Sequence, residues 1–261
     1  MIDLDIYRPV LLSVLFGLPR ILLICLLLPP FSRQMLPGQT RNGVALSLLL
    51  AIQPLLLAGT PVAIPPWPDA VAILVKEMFL GLLIGYAAAI PFWVAESTGY
   101  FIDNQRGTTM ASSIDPMTGE QTSPLGVLLA QTLGVFFFVG GGLPMFLTVL
   151  YESYRLWPVF SLMPRLDPAA IPTLLGMIDR VMALTVLLAA PVIIAMFMTE
   201  FAMGLISRFT PQMNVFSLAM PIKSGLATLL LALCIAPMFI YLGDELARLG
   251  DYLLVLDRWL R

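Results

Sequence analysis

The stretch that decides the fold is "VLLSVLFGLPRILLICLLLPP", residues 10–30. Its 21 residues are almost all apolar and include a single charged side chain, Arg20. A helix needs about 20 mainly apolar residues to cross the hydrocarbon core of a bilayer. The stretch therefore predicts a membrane-spanning helix.

Further apolar stretches of similar length follow along the chain. With 59% hydrophobic and only 11% charged residues, the chain of 261 residues has more apolar surface than a soluble domain of that length can bury. Isolated strands cannot satisfy their backbone groups in lipid. We therefore predict a single all-α integral membrane domain over residues 1–261 with about six long apolar helical stretches. The other five are Gly43–Ile64, Ala70–Ala95, Leu125–Tyr151, Val181–Thr199 and Ile222–Leu242.

The composition argues against several classes of function. The formal net charge is −2 and no cluster of Lys and Arg is present, so a nucleic-acid partner is not expected. The chain has no histidine, which excludes His-based catalytic triads and His-containing metal motifs. It also has no G-x-x-x-x-G-K-[ST] motif for binding phosphate. We predict that the protein is not an enzyme and has no cofactor or metal.

Ionisable residues inside apolar stretches are costly and often functional. Lys76, Glu77 and Lys223 lie near the ends of stretches, where snorkelling or a local ion pair accounts for them, although Lys223 is also a candidate for an interface. Arg20 lies midway through residues 10–30, directly after Pro19. It predicts either a partner carboxylate or a segment that does not sit at ordinary membrane depth, and both interpretations stay open.

Glycine and proline residues occur at several positions within the apolar stretches. Gly81 and Gly85 have the spacing of a close helix contact, and residues 140–142, all glycine, interrupt the fourth stretch. Proline removes a backbone hydrogen bond and favours a kink. The prolines inside the stretches are Pro19, Pro54, Pro91, Pro144, Pro191 and Pro237.

The connector "DNQRGTTMASSIDPMTGEQTSPLG", residues 103–126, is long for a chain of short connectors. Asp115 and Pro116 predict a turn, and Gly119 permits a positive φ soon afterwards. Ser123 and Pro124 have the residue types of an N-cap and a first helical position. The connector is therefore expected to have defined ends.

Two interpretations of this connector remain open. It is rich in small residues, with Met110 and Met117 as flexible apolar side chains, so it can pack closely inside an enclosed space and form a constriction or plug. The alternative is an exposed loop outside the membrane. The ionisable residues that could hold the loop, or simply be solvated or capping groups, are Asp103, Arg106, Asp115 and Glu120.

The run "DNQRG...SSIDPMTGEQTSPLG" closely resembles the corresponding segment of the SpaR/YscT/HrcT family of type III secretion export-apparatus proteins, the injectisome relatives of flagellar FliR. The run "PQMNVFSLAMPIK", residues 211–223, resembles the P-x-x-N-x-F...P-x-K signature of the same superfamily. The form "DPMTGEQTSPLG" is more similar to the virulence branch than to the flagellar branch.

This resemblance implies a subunit of an export gate, a helical-spiral complex of helix hairpins in the bacterial inner membrane, within the basal body of the secretion system. Unfolded polypeptides would leave the cytoplasm through it. The implied partners are SpaP/YscR/FliP-like and SpaQ/YscS/FliQ-like subunits, a YscU/FlhB-like switch protein and the lipid bilayer. Residues 1–175 would correspond to the FliP-like part and residues 176–261 to the FliQ-like part.

The resemblance also assigns roles to residues. The central loop would be a plug inside the closed channel, comprising Arg106, Gly107, Thr108, Thr109, Met110, Ala111, Ser112, Ser113, Asp115, Pro116, Met117, Gly119 and Glu120. Candidates for subunit interfaces are Arg20, Pro211, Asn214, Phe216, Pro221 and Lys223. The alternatives are a small-molecule secondary transporter and a structural nucleator whose loop never gates.

Overall fold

A computed structural model of the chain describes residues 4–32, 35–61, 63–107, 123–161, 170–210 and 215–252. Over these residues the chain forms helices and no strand, which confirms the all-α prediction. A short 3-10 turn, Pro29–Phe31, follows the first helix. The helices are α1 (Leu4–Leu27), α2 (Gly38–Ala51), α3 (Gln53–Leu57), α4 (Trp67–Arg106), α5 (Pro124–Val139), α6 (Gly142–Leu156), α7 (Ala170–Phe209) and α8 (Val215–Ala247).

Four helices within the described ranges, α1, α4, α7 and α8, are long and apolar enough to cross a membrane. The pair α5 and α6, bent by 74°, would make a fifth span. This agrees roughly with the six predicted stretches. The difference is the second stretch, in which α2 ends at Ala51 and only the five residues of α3 follow. Pro54 explains the break, because its ring clashes with the carbonyl four residues earlier and it donates no backbone bond.

The triple glycine interrupts the fourth stretch as the sequence predicts. α5 ends at Val139, α6 begins at Gly142, and Gly141 between them has φ +89°. That left-handed conformation is readily adopted by glycine and costs other residues about 1–2 kcal/mol. The glycine run therefore sets the bend between these two helices.

Backbone contacts divide the chain into two compact units. The first comprises Met1–Ile90, Phe137–Leu175 and Leu246–Arg261, and the second comprises Pro91–Phe136 and Gly176–Glu245. This division rests on backbone contacts and does not test the expected likeness of residues 1–175 to FliP-like subunits and of residues 176–261 to FliQ-like subunits, which stays a prediction.

In the first unit, α1 packs directly on the backbone of α4. A Cβ atom on Gly81 would lie 2.6 Å from the carbonyl oxygen of Arg20, and one on Gly85 would lie 3.1 Å from the Cα of Ile24. Real Cβ contacts do not reach 2.6 Å, so only glycine fits at position 81 without a shift. The predicted close helix contact at this pair is confirmed.

In the second unit, a further glycine pair joins α4 to α5. A Cβ atom on Gly99 would lie 2.4 Å from the Cα of Gly126. The last turns of α4 and the first turn of α5 are therefore in backbone contact, and this contact brings the two ends of the central connector together.

Candidate functional site at the base of the central connector

The structure shortens the predicted connector at both ends, because residues 103–106 belong to α4 and residues 124–126 to α5. The connector therefore begins after Arg106, where α4 ends. Gly107 adopts φ +78°, and its amide donates to the carbonyl of Asn104 over 3.0 Å. A glycine in the left-handed conformation directly after a helix is a common way to end it. The end of α4 is therefore determined by the residues at that end, Gly107 above all.

The connector ends at the N-terminus of α5. The hydroxyl of Ser123 accepts a hydrogen bond from the amide of Gly126 over 2.9 Å, and Pro124 is the first helical residue. This is the N-cap arrangement, which satisfies an amide that has no partner within the helix. The predicted roles of Ser123 and Pro124 are confirmed.

A single carboxylate joins these two ends. Oδ2 of Asp103 accepts hydrogen bonds from the hydroxyl of Ser123 over 2.7 Å and from the amide of Leu125 over 2.9 Å. Asp103 is only 2% exposed. A buried carboxylate beside a helix N-terminus is favoured both by charge-assisted hydrogen bonds and by the helix dipole.

Arg106 links this carboxylate to a third helix, α8. Its Nη1 donates to Oδ1 of Asp103 over 3.2 Å, and its Nη2 donates to the hydroxyl of Ser224 over 2.8 Å. A Cβ atom on Gly107 would lie 3.4 Å from the terminal methyl carbon of Met220, so α8 also meets the connector there. We call Asp103, Arg106, Ser123, Leu125 and Ser224 the loop base.

The sequence analysis singles out three members of the loop base, Asp103, Arg106 and Ser123, and does not predict the parts played by the Leu125 amide and by Ser224. Asp103 and Arg106 bind each other, and Asp103 also accepts a hydrogen bond from Ser123. That they hold the loop stays a prediction. Ser224 was missed, because a serine in an apolar helix carries no local signal of its partner. The other residues of the predicted plug lie outside the described residues: Thr108, Thr109, Met110, Ala111, Ser112, Ser113, Asp115, Pro116, Met117, Gly119 and Glu120.

The interface candidates near the start of α8 are only partly described. Pro211 and Asn214 lie outside the described residues, and for Phe216 only the helical backbone is described. Pro221 is exposed within α8. Lys223 is buried, and its ammonium lies 3.0 Å from a carboxylate oxygen of Glu200 on α7, so it forms an ion pair.

Arg20 occupies a second polar cluster, in the first unit. Its Nε and Nη2 donate to the two carboxylate oxygens of Glu77 over 2.7 and 2.8 Å, and both side chains are fully buried. The guanidinium carbon lies 4.1 Å from the ring centroid of Tyr154, a cation–π distance. Of the two open interpretations, the partner carboxylate is confirmed. A contact of Arg20 with another subunit stays a prediction, and in this chain its side chain faces inward.

Lys76 completes this buried ion cluster of Arg20, Lys76 and Glu77. Its ammonium lies 3.1 Å from Oε1 of Glu77 and donates to the carbonyls of Pro158 and Val159 over 2.7 and 2.6 Å. These carbonyls follow the C-terminus of α6, the end of a helix where positive charge is favoured. Lys76 is 2% exposed and therefore forms the local ion pair rather than snorkelling.

Neither cluster has the composition of a metal site. Within the described ranges no group of three or more His, Cys, Asp and Glu side chains is placed to hold a metal ion. The chemistry available at the loop base is hydrogen bonding and ion pairing, which can hold helices and a connector in one arrangement.

These features define a helical membrane protein with several spanning helices and a central connector fastened to a buried carboxylate. The profile of the family described as bacterial export proteins, family 1, matches residues 11–249, so this chain belongs to that family. Its function therefore lies in a protein-export apparatus, as a membrane-embedded component.

Individual relatives agree with this assignment. The Yop proteins translocation protein T of Yersinia pestis is 44% identical over 229 residues, 87% of each chain. The surface presentation of antigens protein SpaR of Salmonella typhimurium is 34% identical over 252 residues, 95% of this chain and 90% of the relative. The flagellar biosynthetic protein FliR of Bacillus subtilis is 25% identical over 214 residues, 82% of each chain. The resemblance to the SpaR, YscT and FliR family is confirmed, with FliR the more distant of these three relatives.

Proposed function

We propose that this protein is a core subunit of a type III secretion export gate in the bacterial inner membrane. Together with SpaP/YscR/FliP-like and SpaQ/YscS/FliQ-like subunits it forms the channel through which unfolded polypeptides leave the cytoplasm. Membership of the bacterial export family and the similarity to the Yop proteins translocation protein T and to SpaR support this role. A YscU/FlhB-like switch protein associates with the closed complex.

In this proposal the central connector closes the channel. The observation that carries it is the loop base, where the buried carboxylate of Asp103 binds Ser123, 20 residues further along the chain. Because both ends are held at one point, the residues between them can fill a pore or leave it without separating α4 from α5. Small side chains and methionines suit this task, since they seal by close packing and still yield to an extended polypeptide.

The unequal burial of the spanning helices supports the expected partners. The apolar window of α4 is 72% buried within the chain, whereas those of α7 and α8 are 22% and 17% buried. Most of the apolar surface of α7 and α8 must therefore be covered by lipid or by other proteins. Neighbouring gate subunits and the bilayer share this surface in the proposed complex.

The test is deletion of residues 107–113 in cells that carry the assembled apparatus. We expect greater ion leakage while the complex still assembles, because the closed pore loses its seal. A second variant replaces the same residues with glycine and serine, which keeps the length of the loop and removes Met110. It separates the effect of side chains from that of length.

Two outcomes would contradict the plug. An unchanged seal with lost assembly would make the segment a packing element, which is the role of a structural nucleator. Unchanged leakage, assembly and secretion would make it an ordinary exposed loop. Movement of a small solute by the purified protein alone in liposomes would instead support the transporter alternative and contradict the proposed export gate.

A further inference from the structure

A hydrogen bond from Arg106 to Ser224 connects α8 to the loop base. We propose that Arg106 is a positioning residue that couples α8 to the central connector, so that a displacement of α8 at Ser224 reaches Asp103 and the start of α5. The effect of this coupling on leakage depends on the proposed export-gate function. The coupling itself is a property of the described residues and can be measured separately.

The guanidinium of Arg106 binds acceptors on two helices. One Nη of Arg106 binds Asp103 on its own helix and the other binds Ser224 on α8. The guanidinium is a rigid planar fork with donors at fixed angles. Its two acceptors therefore cannot move independently without losing a hydrogen bond.

The hydrogen bonds continue from Arg106 into α5 through Asp103. Oδ1 of Asp103 binds Arg106, while Oδ2 of the same carboxylate accepts from Ser123 and Leu125. Ser224 is therefore connected to the N-terminus of α5 by an unbroken series of hydrogen bonds through two charged side chains. Such bonds are stronger than those between neutral groups, and the side chain of Arg106 is only 19% exposed, so water competes weakly.

α4 and α5 are in backbone contact, whereas α8 meets them through side chains. The backbones of α4 and α5 touch at Gly99 and Gly126, where a Cβ atom on Gly99 would be 2.4 Å from the other glycine. α8 meets this pair through side chains instead. The ring of Phe239 lies 6.3 Å from that of Phe136 on α5, a Cβ atom on Gly107 would lie 3.4 Å from the terminal methyl carbon of Met220, and Arg106 binds Ser224. Movement is therefore expected between α8 and the α4–α5 pair, and Arg106 bridges that boundary.

Ser224 lies in a part of α8 that borders exposed residues. Lys223, its neighbour in sequence, pairs with Glu200 on α7, whose side chain is 53% exposed. Pro221 lies inside α8, one turn before Ser224, and removes a backbone hydrogen bond there. This part of α8 can bend, and it borders an exposed carboxylate and an exposed proline that a neighbouring subunit can contact. Contact there would move Ser224 and, through Arg106, the loop base.

A double-mutant cycle with Arg106→Lys and Ser224→Ala tests the coupling. Lysine keeps the charge but cannot bind both acceptors in the fork geometry, and alanine removes the hydroxyl from α8. Each single variant is expected to raise ion leakage of the assembled apparatus about tenfold, the effect of losing one hydrogen bond to a charged group. The double variant should leak no more than the worse single variant, because both changes cut the same link. Additive effects would overturn the proposal.

A second measurement does not depend on gating. Spin labels on Phe101 and Thr228, both exposed, report the distance between α4 and α8 in the purified complex, with Cys25 and Cys234 replaced. Both single variants should broaden the distribution of this distance. The control is Arg155→Lys, which should not broaden it, because the side chain of Arg155 is 71% exposed and lies outside the loop base. An unchanged distribution in Arg106→Lys and Ser224→Ala would overturn the coupling. If deletion of residues 107–113 caused no leakage, the proposed plug would fail, and the distance measurement would still decide the coupling.

Discussion

The guanidinium of Arg20 has five N–H donors, and acceptors within the first unit are available for all of them. Two bonds go to Glu77, two to the carbonyl and hydroxyl of Ser153, and one to the carbonyl of Trp157. A buried arginine with unsatisfied donors would be very costly. Complete pairing explains how a charged residue persists midway along α1, and it ties α1 to α4 and to the end of α6.

Replacing Glu77 with glutamine tests this account. The variant leaves Arg20 and Lys76 buried without their carboxylate, and breaking one partner of such a cluster costs about 3–5 kcal/mol. We expect a loss of that order in the free energy of unfolding, measured on the purified protein in detergent.

The matched control is Glu152→Gln in the pair of Glu152 and Arg155, whose side chains are 45% and 71% exposed. An exposed ion pair contributes at most about 1 kcal/mol, so this variant should unfold nearly as the natural protein does. Equal losses in the free energy of unfolding of the two variants would show that burial is not the reason why Glu77 stabilises the protein.

At the scale of elements, glycine and proline decide where helices break and where they touch. Pro54 ends the second apolar stretch as a continuous helix, and Gly141 permits the bend between α5 and α6. Gly81 and Gly99 do the opposite and let α4 pack on the backbones of α1 and α5. The same residue type therefore serves as a break at one place and as a contact at another, depending on its neighbours in space.

Gly99→Ala is expected to destabilise the protein by about 1–3 kcal/mol, because the added methyl group overpacks the contact with Gly126 and forces α4 and α5 apart. Gly134→Ala is the control in α5, since a Cβ there meets nothing within 4 Å. It should stabilise the helix slightly, by about 0.5–1 kcal/mol. Thermal unfolding of both variants checks the pair. Similar stabilities would argue that α4 and α5 can separate at no cost.

At the scale of the whole molecule, the chain leaves much of its apolar surface uncovered. Leu187 and Leu233 are 56% and 68% exposed, in contrast to fully buried residues such as Leu80 on α4. Extended apolar surface of this kind is costly to expose to water. The protein is therefore suited to a place among lipids and other subunits.

A photo-crosslinking residue at position 233 tests whether other proteins cover this surface. We expect it to form adducts with other subunits of the export apparatus in cells, because the proposed gate places protein against α8. The control is the same residue at position 242, since the natural Leu242 is 1% exposed and should yield no such adducts. A second crosslinking position on the same helix is 229, since the natural Leu229 is 59% exposed. Adducts with lipid alone at positions 229 and 233 would indicate that this face lies in the bilayer.

The local features of the loop base could be predicted from sequence, and its long-range member could not. Ser123 and Pro124 mark a helix start through residue type alone, because capping involves amides within three residues. The bond from Arg106 to Ser224 joins positions 118 residues apart and depends on the rotation of α8 about its axis. No local pattern encodes that rotation when a helix is apolar on all sides.

The sequence by itself determined the class of the protein, because the cost of placing charges and unpaired backbone groups in lipid depends on composition and the length of apolar runs. It also determined the family, the break at the triple glycine and the two ends of the central connector. Only the tertiary structure decided that Arg20 finds its carboxylate at Glu77, that Asp103 fastens both ends of the connector and that α8 meets them at Ser224. These contacts require helices to meet at a particular register and rotation, which are set by packing over the whole chain rather than by any one stretch of it.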